Sequence, residues 1–223
     1  MGVRRVTPPV VAGSVGILGG TFDPVHLGHL AAAEEAREAL GLETVLFVPN
    51  GVPPHKRDRT ISAPEHRVAM IEAAIADNPA FRLSRVEIDR PGPSFAVDTA
   101  DLLAAEAREA SREPDLWWIL SAEAVAGLPA WREPVRLLGA CRMAVVPRPG
   151  AWPPGRPWLE EHFPGLEDRV VVLDGPELGV SSTVIRDRVA GGRSIRYLVP
   201  ADVRAYIDAH RLYVSDPWRK TRP

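Results

Sequence analysis

The sequence predicts a doubly wound α/β domain, a parallel sheet with helices on both faces, and three observations predict it. Short apolar, β-branched runs recur along the chain without the apolar–polar alternation of a half-wet sheet, as strands buried on both faces do. Helix-patterned stretches separate them, and alternating β and α elements of this length join by right-handed crossovers. The composition agrees: 223 residues, 45% hydrophobic and 25% charged, suit one globular domain with a real core and exclude a disordered chain.

The elements follow in order. Residues Ser14 to Leu18 read as the first strand, and a glycine-rich turn leads into a helix over His29 to Leu40 that stops at Gly41, the usual C-terminal glycine. Thr44 to Val48 is the second strand, followed by a Pro-rich loop over Pro49 to Thr60. Ser62-Ala-Pro-Glu65 reads as a capping box opening a helix to about Asp77, with Val68, Ile71, Ala74 and Ile75 on one face. A strand is expected over Leu83 to Ile88 and a helix over Val97 to Ala110. Further strands follow at Leu116 to Leu120, where Trp117 and Trp118 read as core, at Met143 to Val146, and at Val170 to Leu173. Two loops rich in Pro or Gly, Pro147 to Pro157 and Asp174 to Gly179, are places where a site is expected. Two helix-like segments, Thr183 to Val189 and Ala201 to His210, precede a polar tail from Ser215.

The charge balance excludes some functions. With 27 basic and 29 acidic residues the net charge is −2, so no global positive field draws the chain to nucleic acid or an anionic membrane. Cys141 is the single cysteine, which excludes an intramolecular disulfide and a multi-cysteine metal site and suits a reducing compartment. Arg4 and Arg5 before Val10, Val11 and Ala12 imitate a signal peptide, but Pro8-Pro9 breaks the required apolar helix, and no window reaches the roughly 18 apolar residues of a membrane span. The expectation is a cytoplasmic, unprocessed chain.

Directly after the first strand stands Gly19-Gly20-Thr21-Phe22-Asp23-Pro24-Val25-His26-Leu27-Gly28-His29. A glycine turn between a strand and a helix offers backbone N–H groups and the positive end of the helix dipole, and so favours a phosphate. Neither G-x-x-x-x-G-K-[ST] nor G-x-G-x-x-G is present. What the segment has instead is His26 and His29, whose rings can address one anion while Gly28 lets it approach the backbone. No third ligand nearby completes a metal set, so no protein-held metal is expected. Further along, Ser181-Ser182-Thr183 at a helix start forms a second anion nest with Arg186 one turn on, more than capping alone requires. Lys56, after Pro53-Pro54-His55 and beyond the second strand, is a candidate phosphate-handling cation; Arg57 and Arg59 read as solvent-facing.

The opening segment resembles, residue for residue, the first signature of the HxGH nucleotidyltransferases, and the fuller pattern is similar to the bacterial nicotinate-nucleotide adenylyltransferase family. Val48-Pro-Asn-Gly-Val-Pro-Pro-His-Lys56 resembles that family's substrate loop, and Ser94-Phe-Ala-Val-Asp-Thr99 its Ser-Tyr-Thr-x-Asp-Thr. Leu128-Pro-Ala-Trp131, Val145-Val-Pro-Arg-Pro-Gly150, Val180-Ser-Ser-Thr-Val-Ile-Arg186 and Ser194-Ile-Arg-Tyr-Leu-Val-Pro200 continue the likeness, which runs from about residue 14 to 213. The resemblance implies a Rossmann-like nucleotidyltransferase domain over 14–180, a helical segment over 181–214 that completes the ATP site within the same domain, and a polar tail over 215–223.

It also implies an activity, adenylyl transfer from ATP to nicotinate mononucleotide in NAD biosynthesis, with Mg²⁺ bridging the phosphate oxygens. In that reading His26, His29, Lys56 and Arg186 carry the chemistry. Gly19, Gly20, Thr21, Phe22, Arg148, Ser181, Ser182 and Thr183 join the histidines and Arg186 around ATP, and Lys56, Phe95, Ala96, Glu123 and Trp131 face the acceptor. Trp131 by spacing alone is core; the resemblance sets it against a pyridine ring. Asp98 and Thr99 read as a helix cap, which is explanation enough for them, though the resemblance sets that segment beside substrate.

Two departures bear on the acceptor. Where the family has Gly-Ala-Asp the chain has Ser121-Ala122-Glu123, and where it has Ser-Tyr-Thr the chain has Ser94-Phe95-Ala96, which removes two hydroxyls. An adenylyl- or cytidylyltransferase for nicotinamide mononucleotide or another phosphorylated acceptor therefore stays open, as do a non-catalytic nucleotide-binding module and a homo-oligomer.

Overall fold

A computed structural model of the protein describes residues 13–51, 61–111, 113–175 and 177–214. Six strands form one parallel sheet: β1 (Ser14–Gly20), β2 (Thr44–Pro49), β3 (Phe81–Leu83), β4 (Asp115–Ser121), β5 (Arg142–Val146) and β6 (Val170–Val172), in the spatial order β3-β2-β1-β4-β5-β6. The order reverses between β1 and β4, and a doubly wound sheet binds its ligands outside the carboxyl ends of the strands at that switch point. Chain topology alone therefore points to Gly19-Gly20 and Ser121.

Strand residues alternate between two cores. Val45, Phe47, Trp117 and Ile119 face one layer; Leu46, Val48, Trp118 and Leu120 face the other. The first layer takes α1 (Leu27–Leu40), α2 (Pro64–Ile75), α7 (Ser182–Ala190) and α8 (Ala201–Ala209), which contribute Ala33, Ile71, Ile185 and Val203. The second takes α3 (Ala96–Glu109), α4 (Ala122–Ala126), α5 (Pro134–Ala140) and α6 (Arg156–His162), with Leu103, Val125, Leu137 and Leu159 buried. Residues Ile195, Val199, Ile207 and Tyr213 belong to the same buried cluster as Phe22 and Val25, so the C-terminal segment packs directly on the turn after β1.

Several boundaries differ from the expectation. Helix α1 begins at Leu27, making His26 its N-cap residue and His29 its third. It ends as expected on Gly41 at φ 64°, a left-handed conformation that glycine adopts without strain. Helix α2 begins at Pro64 with Ala63 as cap, and Ser62 instead gives its N–H to the Asp23 carboxylate at 3.1 Å; a tertiary partner has displaced the local capping box. The third strand lies at Phe81–Leu83, not over 83–88: Ser84 makes a last ladder bond to Phe47, then Asp89 N–H closes a turn on Arg85 O, which sends Glu87 inward. Helices α4, α5 and α6 had no sequence expectation, being five to seven residues long and stabilised by burial rather than periodicity.

Candidate active site

The switch point opens into a cavity of about 780 Å³. Its wall on one side is the turn after β1: Gly19, Gly20, Thr21 and Asp23, then His26, Gly28 and His29 at the start of α1. The two imidazoles are stacked, with centroids 3.7 Å apart and planes at 22°. The backbone N–H of His26 donates to Nδ1 of His29 at 3.2 Å, so the His29 ring carries its proton on Nε2 when neutral and can donate from there. His26 is 6% exposed, and its Nδ1 is buried with no hydrogen-bond partner among the described residues. Burial first, and the positive charge of Arg148 second, push its pKa from 6.5 down to about 4. Gly28 leaves room for that ring: a Cβ there would press to 3.1 Å from His26 Nδ1, so the ring would have to shift.

A second helix start faces the first. Ser181 caps α7 by accepting from Val184 N–H, and Ser182 Oγ donates to Pro24 O at 2.9 Å. Arg186, one turn on, donates from Nη1 to Asp23 O at 2.6 Å, and Arg148 donates to Val180 O at 3.0 Å. Ser181, Ser182, Thr183, Arg148 and Arg186 all line the cavity with the histidines. Two helix N-termini and a cluster of cations thus converge on one space, an arrangement that suits a polyphosphate.

Phe95, Ala96, Trp118, Trp131 and Arg132 line the same cavity, with the Arg132 guanidinium over the Phe95 ring. Glu87, 2% exposed, accepts from Thr99 Oγ1 at 2.7 Å and from Asn50 Nδ2 at 2.9 Å. Ser94 Oγ accepts from Gly51 N–H at 3.0 Å.

The profile of the cytidylyltransferase-like family matches residues 17–188, the span that carries this cavity. The chain belongs to that family. A relative from Roseiflexus sp. (strain RS-1), named "Probable nicotinate-nucleotide adenylyltransferase", is 52% identical over 199 residues, covering 89% of this chain and 97% of its own. One of the same name from Symbiobacterium thermophilum is 44% identical over 204 residues, covering 90% and 95%. Among solved structures, Plasmodium falciparum nicotinic acid mononucleotide adenylyltransferase complexed with NaAD superposes with a TM-score of 0.70 at 17% identity, over 90% of this chain and 97% of that one. At that identity the likeness speaks for the Rossmann-like fold.

Within this cytidylyltransferase-like domain, most of the expected site residues meet at the cavity and two stand apart from its wall. Phe22 is 1% exposed, its ring edge-on to His29 at 4.9 Å and tilted against Phe47, so it supports the histidine from the core side. Glu123 lies on the exposed side of α4 and does not line the cavity. Burial raises its pKa, but its own backbone N–H, the Ser121 hydroxyl and Arg148 outweigh this and leave it lowered: it is a first-turn carboxylate held by its helix. Lys56 lies outside the described residues.

The expectation for Thr99 as a cap is also replaced, since α3 starts at Ala96 and Thr99 bonds Glu87. Glu87 had no expectation as a site residue, since no local pattern gives it a signal; Asn50, its partner, lies in the quoted substrate-loop likeness. Arg132 could have been found, standing beside Trp131; Trp118 sits midway along the central strand β4, where the sequence reads it as core. No group of three or more His, Cys, Asp or Glu able to hold a metal occurs among the described residues.

Proposed function

We propose that the protein transfers the adenylyl group of ATP to nicotinate mononucleotide, releasing pyrophosphate and forming nicotinate adenine dinucleotide. The observation that carries this reading is the convergence of the His26–His29 stack and the Ser181–Arg186 helix start on one cavity, in a chain 52% identical to a relative of that name. The acceptor phosphate attacks the α-phosphorus of ATP; the bond from that phosphorus to the bridging oxygen breaks, and pyrophosphate leaves with the electron pair. With a second pKa near 6 the attacking phosphate is mostly dianionic at neutral pH, so no general base is needed. The barrier is charge crowding, and positioning plus electrostatic stabilisation must lower it.

The described residues supply both. His29 presents Nε2–H, His26 is held neutral with a buried ring nitrogen, and Arg186 and Arg148 bring fixed positive charge within the same cavity. Thr21, Ser181, Ser182 and Thr183 add hydroxyls and backbone N–H groups, Trp131 offers a face for the pyridine ring, and Lys56 is proposed to reach the acceptor phosphate.

Mg²⁺ is proposed to arrive on the triphosphate. The cavity's carboxylates do not form a cage for it, since Asp23 is engaged by Tyr213 and Ser62 and Glu87 by Thr99 and Asn50. No helix among the described residues is long and apolar enough to cross a membrane. An ATP-dependent activity and a buried, unpaired Cys141 suit the cytoplasm.

The deciding experiment is pyrophosphate release with ATP against nicotinate and nicotinamide mononucleotides in parallel. Preference for the nicotinate form is expected; preference for the amide would overturn the acceptor assignment, and release with neither would overturn the reaction.

A further inference from the structure

We propose that Arg132 is the specificity-determining residue of the acceptor site, its guanidinium pairing with the carboxylate on the pyridine ring; this rests on the reading above. The cavity divides its charges. His26, His29 and Arg186 belong to the two helix starts and Arg148 bonds Val180 O beside them, whereas Arg132 follows Trp131 and lies over Phe95, next to Ala96.

None of the other polar side chains beside it brings positive charge. Glu87 and Asn50 bond each other, and Ser94 Oγ is taken by Gly51 N–H. Ala96 offers no hydroxyl, and Phe95 offers a ring face in place of one. That ring has acquired a different use: the Arg132 guanidinium carbon lies over it, 4.7 Å from the centroid. Such stacking holds the plane of the fork while leaving its edge donors available.

Glu133 is shared between two arginines: its carboxylate is 2.6 Å from Arg136 Nη1 and 3.5 Å from Arg132 Nε, so its closer pairing is with Arg136 and its contact with Arg132 is on Nε. The fork is therefore fixed by an aromatic face beside Trp131, its outer nitrogens able to meet a planar carboxylate in two parallel bonds. An amide would turn N–H groups toward N–H groups and carries no charge. Backbone N–H groups at the start of α3 are the competing source of recognition, and they do not depend on residue 132.

The test measures kcat and KM for nicotinate and nicotinamide mononucleotides at saturating ATP in the wild type, R132Q and R132K. Loss of a charge-assisted contact should cut the nicotinate-to-nicotinamide ratio of kcat/KM by about ten- to a hundredfold in R132Q, through the KM for the carboxylated acceptor, with the KM for ATP unchanged. R132K, which keeps the charge without the fork, should retain part of the preference. An unchanged ratio in R132Q overturns the proposal and assigns recognition to the backbone. A wild type that turns over neither acceptor overturns the underlying activity instead.

Discussion

The Tyr213 hydroxyl, beyond the last helix, donates to the Asp23 carboxylate at 2.6 Å, a contact 190 residues apart in sequence and fully buried. Asp23 also accepts Ser62 N–H on its other oxygen, and its backbone carbonyl receives Arg186. Arg67, 1% exposed, adds bonds to Thr21 O and Ser62 O. The turn that presents His26 is thereby tied to α2, α7 and the chain's last described residues. Tyr213→Phe leaves a buried carboxylate oxygen short of a donor, at a cost of about 1–3 kcal/mol. Thermal unfolding should fall by several degrees, and kcat should fall with it because the loop loses its brace.

His29→Ala removes the Nε2–H donor whose tautomer the His26 backbone sets. A loss in kcat of about a hundredfold or more is expected, the scale of one transition-state donor, with an unchanged far-UV spectrum. Near-normal turnover would show that the ring does not touch the reacting phosphates.

Gly28→Ala places a methyl 3.1 Å from His26 Nδ1 and 3.2 Å from Cε1. The stacked pair must then shift by a few tenths of an ångström. Steady-state kinetics should show kcat/KM for ATP reduced by about ten- to a hundredfold with little loss of thermal stability, since α1 gains a better helix former.

His26 ties stability to pH. Folding lowers its pKa from 6.5 to about 4, so between those values the unfolded chain binds a proton that the folded chain refuses. Its contribution is fully present above the unfolded value and is lost as pH falls through that window, by about 3 kcal/mol. Urea unfolding near neutrality and again inside the window should show this decline, and His26→Gln should flatten it.

Trp131→Ala should raise the acceptor KM by up to about tenfold, the worth of one aromatic stack, and leave the KM for ATP alone. An effect on ATP instead would move Trp131 to the other end of the cavity.

The four central strands were legible because they are buried on both faces and carry unbroken apolar runs, and the two helix starts were legible because a glycine turn, a histidine pair and a Ser-Ser-Thr cap are local signals. Glu87 shows the limit. Its segment reads as a strand from Val86 and Ile88, yet the chain turns there, because the carboxylate finds Thr99 and Asn50 only once three separate segments have come together. Ser62 likewise abandons a local cap for Asp23.

By itself, then, the sequence determined the doubly wound fold, the two helix starts with their His pair and Ser-Ser-Thr run, and the family whose signatures they carry. Only the tertiary structure decided that the Phe22 ring packs against His29 and Phe47, that Glu123 lies on the exposed side of α4, and that Arg132 lies over Phe95. The reason is physical: backbone turns and caps are governed by neighbours a few residues away, whereas the direction of a side chain is set by what packs against it from far along the chain.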